Sequence, residues 1–156
     1  MQDEMTLAQA IESGLALKGK ITLTHTNGLT GEVTTFEKGN LIVQVGKNFV
    51  ANALIAASAS PFVALAVGSS ATAPASGDTA LGSELARVAF GSAAAAANVV
   101  TVSSTFNPGV GTGAWQEAGL FNNATSGGTM FSHVTFSVVN KGSLDTITVT
   151  WQITCG

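Results

Sequence analysis

The C-terminal segment of the chain constrains its fold more than any other stretch. From Asp145 to Cys155 the sequence reads D-T-I-T-V-T-W-Q-I-T-C. Ile147, Val149, Trp151, Ile153 and Cys155 fall on one side of an extended chain, and Thr146, Thr148, Thr150, Gln152 and Thr154 fall on the other. Successive side chains of a strand point to opposite faces, so this unbroken two-residue period describes a strand with one buried and one solvated face. Half-buried strands of this kind belong to antiparallel sheets.

The same period recurs upstream. K-I-T-L-T-H-T places Ile21 and Leu23 opposite Thr22, Thr24 and Thr26, and Asn27-Gly28 is a hairpin-turn dipeptide. A return strand over Gly31–Phe36 and a third strand over Leu41–Val45 follow, the latter ended by Gly46. Phe49, Val50, Ala53, Leu54 and Ala57 then fall at helical spacing. Phe62–Val67 is almost wholly apolar, as expected of a strand buried on both faces. Ser69–Gly82 reads as a loop, and the alanine-rich Gly91–Ala97 as a loop or a loose edge. Asn98–Phe106 is a strand, Asn107–Gly113 a glycine-rich turn, and Thr129–Val139 another strand. Short strands at regular spacing, linked by Gly/Pro/Ser loops, predict an all-β fold. The expected architecture is an antiparallel β-sandwich or jelly-roll-like domain with one or two short helices.

Ahead of the strands, Thr6–Leu17 carries Leu7, Ile11 and Leu15 at spacings of four. Thr6 is a possible cap, and Asp3 and Glu4 suit a helix N-terminus. This amphipathic helix is a candidate docking arm. Residues 1–45, the helix plus the hairpin, are expected to form an N-terminal arm for docking. Residues 46–156 are expected to form the sandwich module, the two making one continuous domain of a 156-residue chain.

Charge is scarce. Charged residues make up 10% of the chain, against about 25% in an ordinary globular domain. Beyond Lys47 the charges are Asp78, Glu84, Arg87, Glu117, Lys141 and Asp145. Burial of much of the surface against other chains accounts for this more readily than a solitary monomer does. A net charge of -3 and scattered basic residues argue against nucleic acid as a partner. The acidic start M-Q-D-E-M lacks the pattern of a signal peptide, and a single cysteine fits a reducing cytoplasm. The charge-free run Val50–Gly68 approaches the length of a membrane span, but Pro61 breaks it, so no span is expected.

The side chains assemble no catalytic set and imply no cofactor. His25 and His133 each sit within an alternating strand, where a histidine is ordinarily hydrogen-bonded or at the surface. No Cys/His spacing fits a metal site. Gly39–Lys47 departs from a phosphate loop in spacing, and Asn48 replaces the required Ser or Thr. Gly109, Gly111 and Gly113 are not followed by a helix pattern, as a dinucleotide site would need. Asp78, Glu84 and Glu117 could supply an acid and a base, but no groove of aromatic and polar residues accompanies them. Glu117 lies in the apolar motif W-Q-E-A-G-L-F, where a carboxylate must be paired or hydrogen-bonded. Two partners suggest themselves: Arg87, the one arginine, or backbone N–H groups of the glycine-rich turn before it. Trp151 and Cys155 read as core, with an inter-chain disulfide at Cys155 as the alternative. Trp115, Asn107 and Phe121 are candidate interface or ligand residues.

Four segments carry a resemblance: N-L-I-V-Q-V-G-K-N-F-V-A-N-A-L-I-A (Asn40–Ala56), L-A-V-G-S-S-A-T-A-P (Leu65–Pro74), G-D-T-A-L-G-S-E-L-A-R (Gly77–Arg87) and the block Trp115–Cys155. In that order they resemble a recurrent module of tailed-phage particles, described as tail-fibre or virion structural proteins. The resemblance implies a non-enzymatic virion part on the particle exterior, self-associating as a homotrimer and docking on a major capsid or tail protein. Two placements follow from it. One is a capsid decoration or cement protein. The other is a tail fibre or receptor-binding protein that meets a host surface glycan.

Overall fold

The computed structural model describes residues 16–55 and 60–156. The fold is all-β and antiparallel. The strands are β1 (Leu17–Thr26), β2 (Val33–Ile42), β3 (Ala64–Gly68), β4 (Glu84–Ala89), β5 (Ser92–Ala96), β6 (Val99–Phe106), β7 (Gly113–Phe121), β8 (Met130–Lys141) and β9 (Thr146–Cys155). One helix, α1 (Gln44–Ala53), lies between β2 and β3. The strands form one nine-stranded sheet in the order β4-β3-β7-β8-β2-β1-β9-β6-β5.

That sheet curls into two facing layers, with β2 as the seam. Val33–Asn40 pair with β1, whereas Leu41 and Ile42 pair with His133 and Ser132 of β8. The expected strands over Gly31–Phe36 and Leu41–Val45 are thus one long strand that crosses from layer to layer. The main core fills the space between the layers. Ile21, Val102, Phe106, Ile147, Val149 and Trp151 come from one side, and Leu65, Val67, Trp115, Leu120, Val134 and Phe136 from the other. The alternation in β9 is realised: Ile147, Val149, Trp151 and Ile153 are buried, and Cys155 at the strand end is half-buried. β3 is buried throughout, as its apolar run requires.

The hairpin does not belong to an arm. β1 pairs along its whole length with β9 and from Gly19 to Thr26 with β2, and Ile21 and Leu23 sit in the core. Residues 17–42 are therefore central to the sheet, and Leu17 opens β1 rather than continuing a helix. Leu7, Ile11 and Leu15 lie outside the described residues. The hairpin turn is also longer than a two-residue Asn-Gly turn. Asn27 Oδ1 accepts the amides of Leu29 and Thr30 at 2.9 and 3.0 Å, and the left-handed residue is Gly31, with φ of 71°. Gly28 is needed for space instead, because a Cβ there would strike the backbone of Leu144.

Gly46 lies inside α1 rather than ending a strand. A side chain there would collide with the Phe131 carbonyl, so glycine lets the helix sit directly on β8. Ser92–Ala96 pairs with β6 as an exposed edge strand, the loose edge that the alanine run allowed. β7 carries the irregularity that matters most. Its register with β8 shifts between Trp115 and Glu117. Trp115, Ala118 and Leu120 all face the main core, a spacing that only a bulge permits. Glu117, Gly119 and Phe121 are turned to the outer face, where Ala66, Leu81, Phe121 and Met130 form a second apolar cluster.

Candidate functional site

Glu117 is fully buried and is the centre of a polar lock. Its Oε1 accepts the amides of Ser70 and Ser83 at 3.2 and 2.7 Å, and its Oε2 accepts that of Gly82 at 2.9 Å. His133 Nε2 lies 3.0 Å from the same Oε2, and His133 Nδ1 lies 2.7 Å from Asp78 Oδ2. Asp78 also accepts the Ala75 amide at 2.8 Å. The lock therefore fastens the 69–83 loop across the outer face of β3, β7 and β8. Gly68 makes room for it, since a Cβ there would strike the Glu117 carboxylate and the Ser83 carbonyl.

The three side chains of this cluster are bonded to one another and to loop amides. Each nitrogen of the His133 ring faces a carboxylate oxygen, Glu117 Oε2 on one side and Asp78 Oδ2 on the other. Burial pushes the Asp78 carboxyl up, but the Ala75 amide and the His133 ring outweigh it and hold the group below its ordinary 3.8. His133 stands between the carboxylates and spends both ring nitrogens on them, so the three side chains do not converge on one point. Among the described residues, no set of His, Cys, Asp or Glu is arranged to hold a metal ion.

Arg87 does not pair with Glu117. The register places both on the outer face, because Ala66 stands opposite Arg87 on one side and Gly119 on the other. Glu84 is nearer, and takes Arg87 in a two-pronged pair, Nε to Oε1 at 2.9 Å and Nη2 to Oε2 at 2.7 Å. Arg87 Nη1 donates to the carbonyls of Asn123 and Gly127, and the guanidinium lies 3.9 Å from the ring centre of Phe121. Arginine here closes the β7–β8 hairpin over Phe121. The backbone alternative for Glu117 has the right chemistry and a different source: the donors come from Ser70, Gly82 and Ser83, not from the turn before it.

A second lock gathers one end of the molecule. Asp145 accepts the amides of Gly142 and Gly28 at 2.7 and 2.9 Å, and His25 Nε2 lies 2.8 Å from its Oδ2. The Gly28 amide, the His25 ring and the Gly142 amide hold its carboxyl down to about 2 from 3.8. Lys141, also buried, donates to the Asn107 carbonyl at 3.0 Å, and burial keeps its ammonium below its ordinary value despite the opposing pull of Asp145. The Gly109 amide reaches the Ser143 carbonyl at 2.8 Å. Three loops, 27–32, 107–112 and 142–145, are joined in this way. Each presents an exposed aliphatic side chain: Leu29 (82% exposed), Val110 (38%) and Leu144 (54%).

A lowered folded-state pKa stabilises the fold above the unfolded value, and the contribution is lost as pH falls through the folded one. The Asp145 lock is therefore expected to hold fully above pH 3.8 and to fail as pH approaches about 2. Chemical denaturation of the native chain and of Asp145→Asn across this range checks it. The stability gap between them should be constant above the window and close within it; a gap that persists at the acid end would contradict the assignment.

The aromatic candidates are not at the surface. Trp115 is fully buried, stacks edge-on to Phe106 at 4.9 Å and donates its indole N–H to the Gly111 carbonyl at 2.6 Å. Phe121 is buried beneath Arg87. Asn107 alone of the three is exposed, and its carbonyl is engaged by Lys141. Trp151 is core, its indole N–H bonded to Asn40 Oδ1 at 3.1 Å. Sequence reasoning missed His133, Asp78, Asp145 and Lys141 as members of the locks. The available signal was their scarcity: in so charge-poor a chain, each ionisable group within a strand or glycine turn needs a partner. No described helix is long and apolar enough to cross a membrane. Comparison of the chain with protein-family models, curated proteins and solved structures yields no match.

Proposed function

We propose that this chain is a non-enzymatic structural protein of a tailed-phage virion, acting on the particle exterior by self-association and by docking on another virion protein. The observation that carries the reading is the rigid apolar end formed by Leu29, Val110 and Leu144 on three locked loops. Pre-organised aliphatic groups of this kind suit a protein contact, because no loop has to be ordered on binding. Two further features support it. The segments that resemble the phage module meet in the fold: Ser70, Gly82 and Ser83 all donate to Glu117. The ionisable groups of the two locks are engaged with one another and with the backbone.

Capsid decoration is the preferred placement, with a homotrimer as the expected assembly. Receptor binding at the tail would call for exposed aromatic platforms facing a host glycan. Trp115, the best candidate for that work, is buried, whereas the exposed tips are aliphatic.

Labelling the protein on intact particles and imaging head and tail tests the placement; absence from both would end the virion reading. The docking end is tested by Leu29→Asp combined with Leu144→Asp. Both side chains are exposed, so the melting temperature should hold within a few degrees, the effect of about 1 kcal/mol or less. Particle association, or the trimer mass in light scattering, should be lost. A double variant that assembles normally would exclude this end as the contact.

A further inference from the structure

The nine-stranded sheet ends in two edges, β4 and β5, and they are finished differently. β4 carries the Glu84–Arg87 pair, and the carbonyl of its last residue, Ala89, accepts the Ser104 hydroxyl of β6 at 3.2 Å. Charge on an edge strand is a common guard against further pairing. β5 has no such guard. Ser92–Ala96 are all exposed, no charged residue lies between Arg87 and Glu117, and no proline interrupts the strand. Among the described residues, β6 is its one strand partner.

That pairing uses one side of β5. In an antiparallel pair, alternate residues exchange their N–H and C=O groups with the partner strand, and the residues between them point those groups away. β5 therefore presents a row of backbone donors and acceptors beyond the sheet. Its side chains limit what can meet that row. Strand addition by a foreign protein draws its specificity from pockets that read alternate side chains. A serine and four alanines form no such pocket and offer no charge. A second β5 needs neither. Turned about a two-fold axis, it runs antiparallel to the first and sets alanine against alanine. The small side chains clear one another, and no like charges meet.

We infer that β5 is a self-association edge, pairing antiparallel with β5 of a second copy so that the layer β2-β1-β9-β6-β5 continues into its equivalent. The contact is separate from the end formed by Leu29, Val110 and Leu144. It joins copies in pairs, whatever assembly that end supports. The inference stands on the sheet edge and does not require the virion reading.

Light scattering of the full chain over a dilution series tests it. With Leu29→Asp and Leu144→Asp disabling the loop end, a species of twice the chain mass is expected. Adding Ala93→Lys with Ala95→Lys, which sets like charges against one another across the pair, should halve that mass. Both positions are exposed, so the fold should hold. Ala93→Thr with Ala95→Thr, which suits a strand and adds no charge, should keep the dimer. A monomer before the lysines are added, or the same mass with and without them, would overturn the inference. A larger species that the lysines still halve would support β5 and fault the loop end instead. Amide exchange gives a second readout. The outward amides of β5 should gain about tenfold or more in protection from dilute to concentrated protein, with β9 amides unchanged. Outward amides that exchange freely at every concentration would overturn the inference. So would protection gained only on intact particles, which would assign the edge to another protein.

Discussion

Replacing Glu117 with alanine is expected to destabilise the protein by about 3–5 kcal/mol, the range for breaking a buried charged network by removing one member. The substitution leaves the amides of Ser70, Gly82 and Ser83 and the buried ring of His133 without their acceptor, which is itself fully buried. Small domains are stable by about 5–15 kcal/mol, so a loss of this size takes a large share of the total. Glu117→Gln separates charge from shape. Its amide oxygen can still serve Ser70 and Ser83, but its NH2 would face the Gly82 amide, donor against donor. The expected cost is about 1–3 kcal/mol, that of one unsatisfied buried polar contact. Urea denaturation measures both, and amide exchange over 69–83 should rise in the same order. An alanine variant within about 0.5 kcal/mol of the native chain, the scatter of ordinary surface substitutions, would show that the lock is idle.

The sandwich was legible in the sequence wherever one face of a strand meets the core and the other meets water, because that contrast imposes the period of two. β9 and the first half of β1 are such strands. β2 reads as two strands because Glu37, Lys38 and Gly39 are exposed where it leaves one layer and joins the other, so no apolar alternation runs through its middle. β7 was opaque for a related reason. The bulge after Trp115 puts Trp115 and Ala118 on one face, so a reader counting by twos places Trp115 and Glu117 together. Glu117 itself could be flagged as needing a partner, since a lone carboxylate among apolar residues is a problem in electrostatics. Its partners could not be identified, because backbone amides leave no mark in a sequence. Arg87, as the one arginine, is one of the two partners that the sequence offers Glu117, but Glu84, three residues away on the same strand, meets it at far lower cost in chain ordering.

Trp115→Ala is expected to cost about 3–5 kcal/mol, the usual penalty for deleting a large aromatic from a packed core. The side chain is fully enclosed, and its loss leaves Phe106 facing a void. The substitution also reaches the proposed contact surface. The indole N–H is bonded to Gly111, which has a φ of 65° and lies within the loop that presents Val110. Trp115→Phe keeps most of the apolar volume and gives up that bond, so its cost should be nearer 1 kcal/mol, the net worth of a single hydrogen bond. The two variants thereby distinguish a core residue from a ligand residue. A tryptophan that served to stack on a ligand could be truncated with little effect on folding, and binding alone would suffer. Here the alanine variant should unfold at much lower denaturant, and the phenylalanine variant should fold nearly as well while its 107–112 amides exchange faster. If Trp115→Phe nonetheless loses particle association, its fold intact, then the set of that one loop controls docking, and the apolar end acts as a single rigid surface rather than as three independent tips.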